Sequence, residues 1–209
     1  RGVDMRFNKR IFWLFAASCI PAYFLSALWL PIPVVVYILV IISAVAQVFA
    51  AGIFFRQLYR QSRLLQDISA TGRWLIWLSG WALAIKLLLQ LGSTVPSLSN
   101  LAFGFRPIVI GYLHLVLLAV ISLFLLGFIL IRQHIPLTRL TLWSVYTFTM
   151  GIVLNELFLM IQGISAMSYE GVPYMDVLLL GAGLVMFTGL LLLNIAVRRR
   201  RYSSTGNAA

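Results

Sequence analysis

Three ionisable side chains lie inside long apolar runs, each in a different one: Lys86, His114 and Glu156. A base, an imidazole and an acid can form an ion pair, exchange protons, or hold a haem or metal ion through a ring nitrogen. A charge in hydrocarbon is costly unless it is paired or hydrated, so residues of this kind mark candidate sites by default. Other polar residues accompany them at helical spacing. Gln90 and Ser93 follow Lys86 by one and two turns, and Asn155 and Gln162 share a face beside Glu156. Gly111, one turn before His114, removes bulk from the imidazole's face, so that a neighbouring helix or a flat ligand can approach.

Such residues act together only if the surrounding elements bring them to one place. Of 209 residues, 62% are hydrophobic and 10% charged, against about 25% charged in an ordinary soluble domain. Six runs are long enough to cross a hydrocarbon core about 30 Å thick, which takes about 20 helical residues. They are Ile11–Leu30, Val34–Phe55, Trp74–Ser93, Ile108–Ile131, Leu140–Gln162 and Val177–Val197. The alternation of barrel strands is absent, which leaves helices as the spanning element. The expected fold is all-α: a polytopic bundle of six transmembrane helices over 11–197, with a basic segment at 1–10, a basic and disordered tail at 198–209, and no soluble domain.

Charge sets the expected orientation. Fourteen of the sixteen basic residues fall before the first span, in the second and fourth connectors, or in the tail. The opposite connectors hold Arg106 with the acids Glu170 and Asp176. Positive charge is retained in the cytoplasm, which places both termini there and suggests a bacterial inner-membrane location. The same distribution explains the net charge of +11 without nucleic acid as a partner; the arginines are topology signals that also suit anionic lipid in the bilayer. Cys19 is the single cysteine, which excludes an internal disulfide and a cysteine-based metal cluster. The Ala16-Ala17-Ser18-Cys19 run resembles a lipoprotein cleavage site, but the apolar stretch continues to Leu30, as in a retained first helix. The chain begins at Arg1 and its first methionine is Met5, as expected of a piece of something longer.

With that topology, depth follows from residue counts. Lys86 lies roughly 10 Å, and His114 and Glu156 each roughly 9 Å, below the outer boundary at 1.5 Å per residue. Three spans consecutive in sequence thus bring a base, an imidazole and an acid to one level of an outward-facing polar pocket. Among the connectors, Pro31-Ile32-Pro33 reads as a tight turn, and Arg56–Arg73 as an extension of the second helix or a short interfacial helix. The polar stretches 94–106 and 163–176 read as loops, the first solvated or lining an entrance. Gly181-Ala182-Gly183 and the Gly80/Ala84 pair read as small-residue packing surfaces.

Three readings of the pocket are open. A Lys86–Glu156 ion pair with His114 as an interhelical donor would serve a structural subunit. Transport or proton relay would have Glu156 titrate against Lys86 and a substrate. A redox or sensing protein would use His114 as a haem or metal ligand. His134 lies about a helix length away, so a second ligand would be Met160, one turn past Glu156, or come from elsewhere. Nucleophile elbows, zinc-protease spacings, phosphate-binding glycine loops and paired catalytic carboxylates are missing, so the pattern does not point to a soluble enzyme. Neither glycine nor proline breaks the middle of the third to fifth spans.

Three stretches carry a resemblance: Leu87-Leu88-Leu89-Gln90 leading to Pro96, Arg106–Leu115, and Gly151–Leu157. From Arg73 to Asn194 the chain resembles the C-terminal half of an uncharacterised family of bacterial multi-pass membrane proteins, itself suggestive of subunit I of haem–copper oxidases. The resemblance picks out Gln90, Arg106, His114, Asn155 and Glu156. It implies a histidine-bearing N-terminal half or partner subunit, which would supply the ligands that His114 lacks here.

Overall fold

The computed structural model describes residues 9–22, 33–60, 69–132, 135, 137–169 and 171–206. Every regular element among them is a helix: α1 Lys9–Ala22, α2 Val34–Arg60, α3 Ala70–Gly92, α4 Pro96–Gly104, α5 Arg106–Ile131, α6 Arg139–Met167 and α7 Met175–Gly206. Five of them, α2, α3, α5, α6 and α7, are long and apolar enough to cross a membrane. This is the architecture demanded when a backbone in hydrocarbon has no water to bond and must close its own hydrogen bonds. The first expected span is described as α1 over 14 residues, and its remainder, 23–30, lies outside the described residues.

Helix ends depart from the apolar boundaries where the sequence contains no stop. α2 continues past Phe55 to Arg60, as expected of a helical extension, while 61–68 are outside the described residues. α6 starts where Thr138, in extended conformation, accepts a hydrogen bond from the Thr141 N–H at 3.1 Å, a side-chain cap on an otherwise orphan donor. α7 runs through Arg198 and Arg199 to Gly206, so the backbone is helical where composition suggested a disordered tail. Similarly, 96–104 is a helix rather than a loop. Pro96 at its first position has the right φ already and loses no needed N–H.

The chain divides into two compact units, one of 1–68 with 81–106, the other of 69–80 with 107–209. In the first, α1 packs on α2. The turn after α3 is tied to α2 by the Tyr37 hydroxyl, which donates to Thr94 O at 2.7 Å. In the second unit, α6 and α7 pack along their lengths through glycines. A Cβ on Gly189 would sit 2.6 Å from Phe148 N, and one on Gly151 would sit 2.5 Å from Met186 Cγ. Backbone approach of this kind lets apolar helices attract one another in lipid, where the hydrophobic effect gives no help. The Gly181-Ala182-Gly183 run plays a smaller part than expected: Ala182 is buried, but Gly181 and Gly183 face open space within the unit.

A Gly189→Ala substitution should therefore lower stability by about 1–3 kcal/mol through overpacking against the Phe148 backbone. Gly181→Ala on the same helix should be neutral. Thermal melts of the two variants in one detergent check this, and equal melting temperatures would count against the contact.

Candidate functional site

The sequence-predicted residues fall into two sets, one in each unit, and each set is described in its own unit. Lys86 and Gln90 belong to the first; His114, Asn155, Glu156, Met160 and Gln162 belong to the second.

In the first unit the polar stripe of α3 ends in a directed hydrogen-bond chain. The Lys86 ammonium donates to Gln90 Oε1. Gln90 Nε2 donates to Gln47 Oε1 at 2.8 Å, and Gln47 Nε2 donates to Cys19 Sγ at 3.8 Å. Both amides are almost fully buried, Gln47 at 3% exposure and Gln90 at 6%. Each donor points the same way along the chain, so each amide accepts from the group before it and donates to the group after it, as buried polar groups must. Ser93, the other member of the stripe, donates its hydroxyl to Gln90 O. Gln47 is the residue that reading the sequence for charges overlooks. Its signal is an amide midway along an apolar run, which in lipid is as informative as an ion.

In the second unit α5 and α6 lie antiparallel. A Cβ on Gly163 would stand 3.2 Å from Ile108 Cγ1, and one on Gly111 would stand 3.6 Å from Leu159 Cβ. Continuing that register by one more turn brings His114 to Glu156, and the ring and the carboxyl interact electrostatically. The expected approach of a helix at Gly111 is thus seen in the contact with Leu159. The imidazole is half-buried, with Nδ1 facing Ile110 O at 2.9 Å. A carbonyl can only accept, so Nδ1 carries the hydrogen and the neutral ring presents Nε2 as its lone pair.

Beside it stand two unsatisfied groups. Asn155, 6% exposed, has its Nδ2 buried with no hydrogen-bond partner, and the half-buried Glu156 has Oε1 in the same state. Asn155 and His114 are the polar groups that act on the carboxyl within this unit. Asn155 Nδ2 and Glu156 Oε1 are buried outside hydrogen-bonding geometry, while the Asn155 side chain still lies close enough to act weakly on the carboxyl, so the two neighbours keep hydrogen-bonding capacity to spare. In a native structure each such group calls for an explanation. Gln162 is half-buried further along α6.

The metal reading gains little from these residues. Met160 is 56% exposed, turned away from the face that buries Asn155 and Leu159. His134 lies outside the described residues. No group of three or more His, Cys, Asp or Glu residues that could hold a metal ion occurs among the described residues. Among the described residues the site offers His114 and the neighbouring Glu156 carboxyl to a haem or metal, fewer than three such groups.

The sequence matches no protein-family model, no curated protein and no solved structure. The functional reading therefore rests on the residues themselves.

The Gln47–Gln90 bond should couple the two residues energetically. Gln47→Leu and Gln90→Leu should each destabilise the protein, while the double variant should be less harmed than their sum by about 1 kcal/mol, as for interhelical bonds in lipid. Unfolding titrations of the three variants test this; strict additivity would show that the amides do not support one another.

Proposed function

We propose that this integral membrane protein carries an intramembrane proton- and ligand-handling site at His114, Asn155 and Glu156, and that it works as a transport or proton-relay protein rather than as a soluble-type enzyme. The observation that carries the reading is the pair of buried atoms, Asn155 Nδ2 and Glu156 Oε1, that lack hydrogen bonds of good geometry next to an imidazole. A carboxylate short of well-placed donors in an apolar bundle is unfavourable, and it becomes acceptable when it holds a proton or a ligand. His114 suits the exchange because its Nε2 lone pair accepts a proton while Nδ1 remains anchored on Ile110 O. Asn155 supplies the complementary donor, so a guest with one acceptor and one donor satisfies both groups at once. Within this proposal belong the six-span topology with cytoplasmic termini and the bacterial inner membrane as location. Lys86, Gln90 and Gln47 then hold the first unit's helices together.

One observation favours a second reading, a haem- or metal-associated redox or sensing role. An imidazole whose Nδ1–H is fixed by a backbone carbonyl is oriented as metal-binding histidines commonly are. Since no group of three or more His, Cys, Asp or Glu residues that could hold a metal occurs among the described residues, this reading calls on a histidine-bearing N-terminal half or partner subunit to complete the site.

Proton flux into liposomes that hold the purified chain, driven by an imposed potential and read by an entrapped pH dye, tests the first reading. Glu156→Gln should reduce the flux to the protein-free level and His114→Ala should slow it at least about tenfold, within the range for loss of a proton-transfer group. Wild-type liposomes no leakier than empty ones would sink the relay. The absorption spectrum of the membrane-purified protein tests the second: a Soret band lost on His114→Ala supports haem, and a colourless, metal-free preparation rejects it.

A further inference from the structure

The helix that bears His114 is not uniform. α5 is α-helical over Arg106–His114 and again over Leu123–Ile131, but between them Leu115–Ser122 forms a π-helix. The wider turn is visible in its bonds: Leu123 N reaches back to Leu118 O, and the Ser122 hydroxyl donates to Leu117 O at 2.8 Å. The segment reads Leu-Val-Leu-Leu-Ala-Val-Ile-Ser, without proline or glycine, so nothing local accounts for it. π-helical turns are rare, occur mostly as short insertions inside α-helices, and are frequent at functional sites. A conformation of that kind persists only where its surroundings over-determine it.

The surroundings within the second unit do so from both ends. Upstream, Ile108 and Gly111 are fitted against Gly163 and Leu159 of α6. Downstream, Gly127 lies against the first part of α3, where its Cβ would come 3.1 Å from Leu75 Cβ and 3.3 Å from Gly72 O. Both are close contacts with little room for rotation. Returning the segment to α geometry would shift one flank against the other by a residue, which is roughly 100° of rotation and 1.5 Å of rise. Either Gly127 would leave α3, or the part carrying His114 would turn away from Glu156. At the end of the wide turn the buried Ser79 hydroxyl donates to Val120 O at 2.8 Å.

We infer that Ser79 is a positioning residue for the site: by holding Val120 O it keeps the π register of α5, and that register aims the His114 ring at Glu156. This inference rests on the His114–Glu156 reading given above and names what sets its geometry. The groups that act on the Glu156 carboxyl within the unit are Asn155 on its own helix and His114 on α5; Ser79 touches neither and works through the backbone between them.

The test is the dipolar contact between the His114 ring nitrogens and the Glu156 carboxyl carbon, read by solid-state nitrogen-15/carbon-13 NMR of the full chain in lipid bilayers, in a His134→Gln, Glu170→Gln background so that one histidine and one glutamate report. The parent should show the cross-peak. Ser79→Ala should lose it, with a thermal stability close to the parent's. Ser79→Thr, which retains the hydroxyl, should restore it. If the parent shows the cross-peak and Ser79→Ala keeps it, the site stands and the positioning role is wrong. If the parent lacks it, His114 and Glu156 do not face one another, and the reading of the site fails with it.

Discussion

The antiparallel contact of α5 with α6 is the constraint on which the site depends. Gly163 lets two apolar helices approach until Ile108 takes up the space its missing side chain would need, and one turn on Gly111 meets Leu159 at ordinary contact distance. Once that register is fixed, the level of His114 against Glu156 is no longer free. In water such a contact would be one of many apolar ones. In lipid, association relies on close van der Waals approach and on polar bonds across helices, so small residues acquire a directing role. Gly151 and Gly189 do the same for α6 and α7.

The two units handle buried polarity in opposite ways. In the first, Lys86, Gln90, Gln47 and Cys19 form a chain in which each group donates to the next, and a network of that kind rigidifies the helices that share it. In the second, Asn155 Nδ2 and Glu156 Oε1 are left unmatched beside an imidazole held in one tautomer. The low dielectric that strengthens a completed network makes an incomplete one unfavourable. The satisfied cluster therefore reads as scaffold and the unsatisfied one as a site, although from composition alone the two look alike.

That contrast also marks how far the sequence could be read. The apolar runs, their lengths and the absence of strand alternation already require helices, and the five long ones lie where hydropathy puts them. The shared level of His114 and Glu156 was legible too, because it follows from counting residues at a fixed rise along adjacent antiparallel spans. The partner of Lys86 was not. Its ammonium donates to Gln90 one turn along its own helix, and Gln90 donates on to Gln47, an amide that a search for charges passes over. Depth restricts which residues can meet, but only helix rotation chooses among them, and periodicity in an almost uniformly apolar helix fixes rotation poorly.

The amino-acid sequence by itself determined that this is a helical membrane protein, and which few polar residues its apolar spans must accommodate. The reason is that water-free surroundings leave the backbone a single kind of solution and make every buried polar group conspicuous. The tertiary structure decided the rest: which polar groups are satisfied, which glycines carry the close contacts, and that α5 opens into a π-helix over residues with no local signal for one. Those features arise from neighbours fitted to the two ends of a helix at once, a condition that no stretch of the chain contains within itself.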